Sequence, residues 1–115
     1  MKLIIAGSRH IHLCDGELFD IIEHFELTEK ISEIVSGCAT GVDQSGENFA
    51  EIHGYKLARF PAAWKYGKAA GPARNLKMAQ YSDALLLIWD GKSSGSANMR
   101  ARMKGMKKPV FEVVK

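Results

Sequence analysis

The segment from Ala84 to Trp89 is apolar at every position. A strand that is apolar on both faces is typical of the centre of a parallel sheet, where helices cover both sides. Along the rest of the chain, short apolar runs alternate with helical patterns, which is the signature of βαβ units. The sequence therefore predicts an α/β fold.

Five strands and four helices follow from these patterns. The strands are predicted near residues 2–6, 33–36, 56–60, 84–89 and 109–114, and the helices after the N-cap Asp15 and over about 42–53, 71–81 and 96–106. Right-handed crossovers allow few topologies, and the commonest is a doubly wound sheet of order 3-2-1-4-5. We therefore expect a Rossmann-like, three-layer parallel sheet in a single domain, residues 1–115.

The composition is that of an ordinary globular domain of 115 residues. Its formal net charge of +3 suits an anionic small molecule and is weaker than the basic stripe usual on a nucleic-acid surface. Cys14 and Cys38 are far apart, and neither a leader nor a membrane-spanning apolar run is found, which predicts a cytoplasmic protein without membrane contact.

Several chemistries lack their sequence motif. There is no dinucleotide fingerprint, Walker A loop or nucleophile elbow, which argues against dinucleotide dehydrogenases, P-loop enzymes and Ser/His/Asp hydrolases. No cluster of metal ligands is present either, so we expect no metal and no other cofactor.

Ligands of doubly wound sheets bind at the carboxyl ends of the strands, so the loops after strands one to four are the candidate site. After strand one, Gly7 permits close backbone approach, Ser8 follows it, and Arg9 offers a bidentate phosphate donor. Taken alone, Gly-Ser-Arg is equally typical of a tight turn with a solvated arginine.

The loops after strands two and four consist of small residues that open directly into a helix. Free amides and the positive end of a helix together favour phosphate binding, although the second of these loops could also be a simple N-cap. The candidate ligand-binding residues are Gly37, Cys38, Ala39, Thr40, Gly41 and Val42 after strand two, and Trp89, Asp90, Gly91, Ser94, Gly95 and Ser96 after strand four.

The longest connection, residues 61–75, combines aromatic, basic and glycine residues, and long loops in compact domains are usually functional. Trp64 is predicted either to stack on a base or to anchor the loop, while Lys68 and Asn75 are polar candidates. Asp43 and Glu47 lie four residues apart on one helix face, where either could contact a ribose. The alternatives are a dipole-stabilising Asp43 and a solvated Glu47.

These loops, in this order, resemble the SLOG superfamily and, within it, the small YspA-like (cpYpsA-related) family of bacteria and phages. The resemblance covers nearly the whole chain. It rests on Gly7-Ser8-Arg9, Ser36-Gly37 with Gly41-Val42-Asp43 and Gly46-Glu47, Phe60-Pro61-Ala62 with Trp64, residues 67–75, and Trp89-Asp90-Gly91 with Ser94-Gly95-Ser96. Cys38 stands where these sequences commonly have a glycine.

The resemblance implies three branches of function. Arg74 resembles the catalytic arginine of LOG-type phosphoribohydrolases, which cut the N-glycosidic bond of nucleoside monophosphates. The glutamate that follows their glycine-rich loop is missing after Gly95, so Glu47 or Asp43 would have to substitute for it. The DNA-processing protein A (Smf) branch binds single-stranded DNA, and a third branch consists of sensors that bind nucleotide-derived messengers.

The leading hypothesis is a binding or sensor protein for a nucleotide or nucleotide-derived ligand. Its phosphate is expected on the amides of residues 37–42 and 94–96, with charge from Arg9, Lys68 and Arg74. Trp64 or Trp89 would face the base. Relatives commonly pair through helices that flank the site, so a homodimer or higher homo-oligomer stays an open alternative to a monomer.

Overall fold

The computed structural model describes all residues, 1–115, as alternating strands and helices. The strands are β1 (Lys2–Gly7), β2 (Glu33–Ser36), β3 (Lys56–Arg59), β4 (Ala84–Trp89) and β5 (Val110–Val114). The helices are α1 (Asp15–His24), α2 (Val42–His53), α3 (Ala70–Tyr81) and α4 (Ser94–Gly105), with a short 3-10 helix (Trp64–Tyr66) before α3.

All five strands form one parallel sheet of order β3-β2-β1-β4-β5, which confirms the predicted fold. Every side chain of β4 is buried, as its apolar pattern predicted. Successive residues of β1 face opposite layers: Leu3 and Ile5 pack towards α1 and α2, while Ile4 and Ala6 pack towards α3 and α4. The sheet is therefore the middle of three layers.

Three helices begin earlier than predicted, and one of them is α3, which begins at Ala70 rather than Gly71. The N-cap of α1 is Cys14 rather than Asp15, and the Glu17 carboxylate accepts the Cys14 amide at 3.3 Å, so a side chain inside the first turn does the capping. The fourth helix begins at Ser94 rather than Ser96. Met99 and Met103 lie on its core side and are buried.

A charged cluster lies at the amino ends of the strands, opposite the loops discussed above. The buried Glu33 accepts a hydrogen bond from the Tyr81 hydroxyl and pairs with the Lys56 ammonium at 3.4 Å. The Tyr81 bond, together with Lys56, lowers the pKa of Glu33. The Lys2 ammonium lies 3.9 Å from the centre of the Tyr81 ring. This amino-edge cluster joins β1, β2, β3 and the end of α3.

No helix in the structure combines the length and the apolarity that crossing a bilayer requires.

Candidate functional site

A cleft of about 650 Å³ opens at the carboxyl ends of β1 and β4 and is bordered by the first turns of α3 and α4. Adjacent connections diverge at this point because β1 leads to β2 on one side while β4 leads to β5 on the other. Such a switch point is where doubly wound sheets bind ligands. A cleft of this volume accommodates a ligand of nucleotide size.

Many of the candidate residues meet in this cleft. Those that line it are Gly7, Arg9, Gly37, Ala39, Asp43, Trp64, Lys68, Arg74, Asn75, Ser94, Gly95 and Ser96. The remaining candidates lie outside its lining: Ser8, Cys38, Thr40, Gly41, Val42, Glu47, Trp89, Asp90 and Gly91. Several residues of this second group make hydrogen bonds that hold the loops around the cleft in place.

The loop after β1 is held against the loop after β4. The Ser8 hydroxyl accepts the Asp90 amide and bonds to the Ser93 hydroxyl, each at 3.0 Å, and Ser8 is itself buried. At Gly7 there is no room for a side chain, because a Cβ would overlap the carbonyl of Ile88. Buried Ser8 therefore ties the two loops together and leaves Arg9 as the exposed charge of this segment.

The loop after β2 uses several of its amides within the protein. The Cys38 amide donates to the Ser36 hydroxyl at 3.0 Å, the Ala39 amide to Asp43 Oδ2 at 3.2 Å, and the Val42 amide to the Ser8 carbonyl at 3.3 Å. A phosphate site on this loop stays a prediction, and it has fewer free donors than the pattern of small residues suggested.

Asp43 and Arg74 are neighbouring ionisable residues in the lining of the cleft, and each influences the pKa of the other. Asp43 is only 5% exposed, and this burial raises the pKa of its carboxyl, although the Ala39 amide and the Arg74 charge oppose the rise. Burial lowers the pKa of Arg74, and Asp43 opposes that change. Arg74 Nη1 donates to the carbonyl of Gly37, which places its guanidinium beside the loop after β2.

The loop after β4 is organised by one carboxylate. Asp90 Oδ1 accepts the amides of Lys92 and Ser93 at 2.8 and 2.9 Å, and also the Ser93 hydroxyl at 2.9 Å. The two amide bonds lower the pKa of Asp90 to about 2. This turn starts α4 at Ser94 and brings its first residues to the cleft, since they all line it.

The buried Asn75 joins the two helices beside the cleft. Its Nδ2 donates to the Gly95 carbonyl at 3.2 Å and to Asn98 Oδ1 at 3.1 Å, while its Oδ1 accepts from Arg74 Nε at 3.0 Å. The start of α4 is thus connected to Arg74 through a single side chain.

The connection between β3 and α3 forms the outer wall. Trp64 is 51% exposed and lines the cleft, and the Arg9 guanidinium lies 5.5 Å from the centre of its ring. Gly71 allows this position, because a Cβ there would approach Trp64 Cη2 to 2.8 Å. Lys68 is exposed and lines the same wall. Trp64 therefore both anchors the connection and presents part of its indole to the cleft.

Two predicted ligand contacts have structural partners instead. Glu47 accepts the Ser36 hydroxyl at 2.6 Å and pairs with Arg59 Nε at 3.3 Å. Trp89 is buried in the core, and its Nε1 donates to Glu112 at 2.9 Å. Neither lines the cleft, so Asp43 is the acidic side chain that does so, and Trp64 the aromatic one.

Eight residues that line the cleft were not in the candidate set: Ala6, His10, Gly71, Pro72, Met78, Ser93, Asn98 and Met99. Asn98 lies one helical turn after Ser94, and Met78 one turn after Arg74, so helical spacing was the signal that would have found both. His10 follows Arg9, and its Nε2 lies 3.7 Å from Asp90 Oδ2. Ser93 precedes the predicted loop residues directly.

The lining is cationic on balance, with Arg9, Lys68 and Arg74 against the single carboxyl of Asp43. No group of three or more histidine, cysteine or acidic side chains is arranged to hold a metal ion. Comparisons with models of known protein families, with curated proteins and with solved structures gave no match. The fold and the cleft define a Rossmann-like, doubly wound α/β protein with a cleft of net positive charge at the switch point of its sheet.

Proposed function

We propose that the chain binds a nucleotide or nucleotide-derived ligand in this cleft, as a binding or sensor protein. The observation that carries the proposal is the convergence of an exposed indole, two exposed cations and the first turn of α4 on a single cleft of about 650 Å³ at the switch point of the sheet. A nucleotide needs an aromatic surface for its planar base and a positively charged surface for its phosphate, close enough together for one molecule to contact both.

The first turn of α4 is the favoured phosphate site. The first amides of a helix have no acceptor within the helix, and the helix dipole makes this end positive. Ser94, Gly95 and Ser96 occupy these positions and line the cleft, and the hydroxyls add further donors. The side chains of Arg9 and Lys68 are exposed at the same cleft, where they would neutralise the remaining phosphate charge.

Trp64 is the favoured contact for the base. Half of its surface is open, and stacking of a base on an aromatic ring does not depend on one particular hydrogen-bond pattern. Asp43 lies deeper in the cleft, where a carboxyl suits a ribose hydroxyl.

Calorimetric titration with nucleoside mono-, di- and triphosphates tests the proposal, together with a thermal-shift screen. We expect binding to raise the melting temperature, because the ligand stabilises the native state alone. Lys68→Gln should weaken binding about tenfold, the usual effect of losing a charged hydrogen bond. The matched control is Lys30→Gln, an exposed lysine in the connection between α1 and β2. Equal affinities for both variants, or no binding of any nucleotide, would contradict the proposal.

A second candidate function is hydrolysis of the N-glycosidic bond of a nucleoside monophosphate, which the burial of Asp43 beside Arg74 favours. In such a reaction the bond between the anomeric carbon and the base nitrogen breaks, the protonated Asp43 carboxyl gives its proton to the leaving base, and water attacks the sugar cation and returns a proton to the carboxylate. Burial raises the pKa of the Asp43 carboxyl, so it keeps its proton to a higher pH than an exposed aspartate does and can donate it to the base, and its ionised form stabilises the cation.

Release of free base from nucleoside monophosphates, followed by chromatography, separates the two functions. If the chain is an enzyme, Asp43→Asn should abolish release while Glu47→Gln, whose carboxylate pairs with Arg59 outside the cleft, should retain it. If the chain only binds, no base appears with any variant and nucleotide affinity is still measurable.

A further inference from the structure

A second groove, of about 440 Å³, lies on the other side of the connection between β3 and α3. Its apolar surface comes from Phe60, Pro61 and the small side chains Ala63, Ala70 and Ala73. Tyr66 also lines it and is 76% exposed, which is unusual for a large aromatic side chain. The aromatic side chains of the 3-10 helix are thus divided between two cavities: Trp64 lines the cleft and Tyr66 lines the groove.

The charged residues of this groove all carry the same sign. Arg59, Arg74 and Lys77 line it, and no carboxylate does. The Lys65 ammonium lies 5.1 Å from the centre of the Tyr66 ring and adds a further positive charge at this edge. Glu47 pairs with Arg59 Nε at 3.3 Å, and the Arg59 side chain is still 61% exposed. An exposed ring beside two exposed cations, Arg59 and Lys77, is complementary to a planar anion.

We propose that this groove is a second binding site, for an aromatic anion of the nucleoside monophosphate class. The ring of the ligand stacks on Tyr66 over the alanines of α3, and its anionic group binds Arg59 and Lys77. The proposal does not rest on the function proposed for the cleft, because the two cavities share one lining residue only, Arg74.

Arg74 makes the two sites dependent on each other. One of its nitrogens, Nη1, donates both to the Gly37 carbonyl at the cleft and to the Phe60 carbonyl at the groove, the latter at 3.4 Å. If the Arg74 guanidinium turns towards an anion in the groove, it lies further from an anion in the cleft and attracts that anion less strongly. Occupation of the groove should therefore weaken anion binding in the cleft.

Titration with adenosine monophosphate, followed by the backbone amide signals in the NMR spectrum, tests the groove directly. We expect the amides of Ala63 and Ala73 to shift along their own saturation curve, distinct from that of Gly95. Tyr66→Ala combined with Lys77→Gln should weaken the groove curve at least about tenfold, from the loss of stacking and of one charged contact. Both side chains are exposed, so the variant should keep its fold and its melting temperature.

Two further arms separate the outcomes. Lys68→Gln should weaken the cleft curve and leave the groove curve unchanged, which would support both proposals. In the parent protein, a groove curve with no shift of Gly95 would support this proposal and contradict the function proposed for the cleft. Adenosine and inorganic phosphate alone should each bind the groove more weakly than the monophosphate. Groove amides that never shift, or that follow the cleft curve in every variant, would overturn the proposal. Affinity that rises steadily with oligonucleotide length would also overturn the proposal, because it would indicate a surface that binds an extended nucleic-acid strand.

Discussion

Asp43 is a buried acid that the surrounding protein only partly compensates. It accepts the Ala39 amide and faces the Arg74 charge, yet burial is the dominant influence and raises its pKa. The folded protein therefore holds the proton of Asp43 more tightly than the unfolded chain does. An acid of this kind costs stability when it ionises, and its presence at the cleft is easier to explain by a role in the site than by a role in folding.

Asp43→Asn should change how the free energy of unfolding depends on pH. In the native protein, stability is lost as the pH rises from the ordinary aspartate pKa through the raised pKa, because the buried group must then ionise. The amide cannot ionise, so the variant should gain stability relative to the parent over that window. Urea unfolding across a pH series measures the difference, with exposed Asp20→Asn as control. A difference in stability that does not vary with pH would contradict the raised pKa of Asp43.

Gly41 permits the close approach of the loops after β1 and β2. Its φ is +77°, and a Cβ there would lie 2.6 Å from the carbonyl carbon of Arg9. Gly41→Ala should therefore destabilise the protein by about 1–3 kcal/mol and displace Arg9. Gly105→Ala is the matched control: its Cβ meets nothing within 4 Å, so it should stabilise the helix by about 0.5–1 kcal/mol. Chemical unfolding of both variants checks the sign of each change.

At the scale of elements, the start of α4 depends on a loop that it does not contain. Asp90 fixes the turn before the helix, and Ser8 fixes that turn to the loop after β1. The residues that would contact an anion are thus positioned by residues that do not touch it. Loss of Asp90 should act on binding through this geometry.

Asp90→Asn should lower both the melting temperature and the affinity for anions. The amide replaces a charged acceptor of three hydrogen bonds with a weaker, neutral one. In the parent protein, the contribution of Asp90 to stability should be present above the ordinary aspartate pKa and be lost as the pH falls towards about 2. Melting curves from neutral to acidic pH for parent and variant test this. A variant with unchanged affinity and the same acid sensitivity would exclude the role given to Asp90.

The sequence predicted which strands and helices form, but it did not predict all of their first and last residues. Apolar patterning predicted all five strands, because burial on one or both faces leaves a direct trace in residue type. The start of α4 was placed two residues late, because it depends on the hydrogen bonds of Asp90 across the turn. The N-cap of α1 was predicted one residue late for a similar reason, because the Glu17 side chain accepts a hydrogen bond from the amide of Cys14, three residues earlier in the chain.

The candidate site was predictable as a region and less so as a set of side chains. Topology alone brings the loops after β1 and β4 together, so Arg9, Ser94 and Gly95 were expected at one cleft and line it. Glu47 and Asp43 share a helix face, but sequence spacing does not reveal that Arg59 from the neighbouring strand reaches Glu47. The groove beside Tyr66 left no motif, because it arises from how one connection lies on α3.

At the scale of the whole molecule, different features lie at the carboxyl and amino ends of the strands. The carboxyl edge holds the cleft, and the amino edge holds the cluster around Glu33 and Tyr81. The pKa of Glu33 is lowered mainly by the Tyr81 hydrogen bond, so its contribution to stability is present above the ordinary glutamate pKa and is lost as the pH falls.

Glu33→Gln should therefore lower the melting temperature at neutral pH and leave nucleotide affinity unchanged, since the amide keeps an acceptor for Tyr81 but loses the ion pair with Lys56. The loss should shrink as the pH falls, because the parent also loses its charge there. Exposed Glu29→Gln is the control and should change neither quantity. A fall in affinity equal to that of Lys68→Gln would mean that the two edges are coupled.

The hydrogen bonds from Asn75 to Gly95 and Asn98 have a consequence for protein engineering. They join α3 to the start of α4 through a side chain of α3 itself, so this frame of the cleft does not include the connection that carries Trp64. That connection can be lengthened, shortened or randomised in a library while the anion-facing frame is retained. Asn75 is therefore the position to hold constant when this chain is used as a scaffold for new ligand specificities.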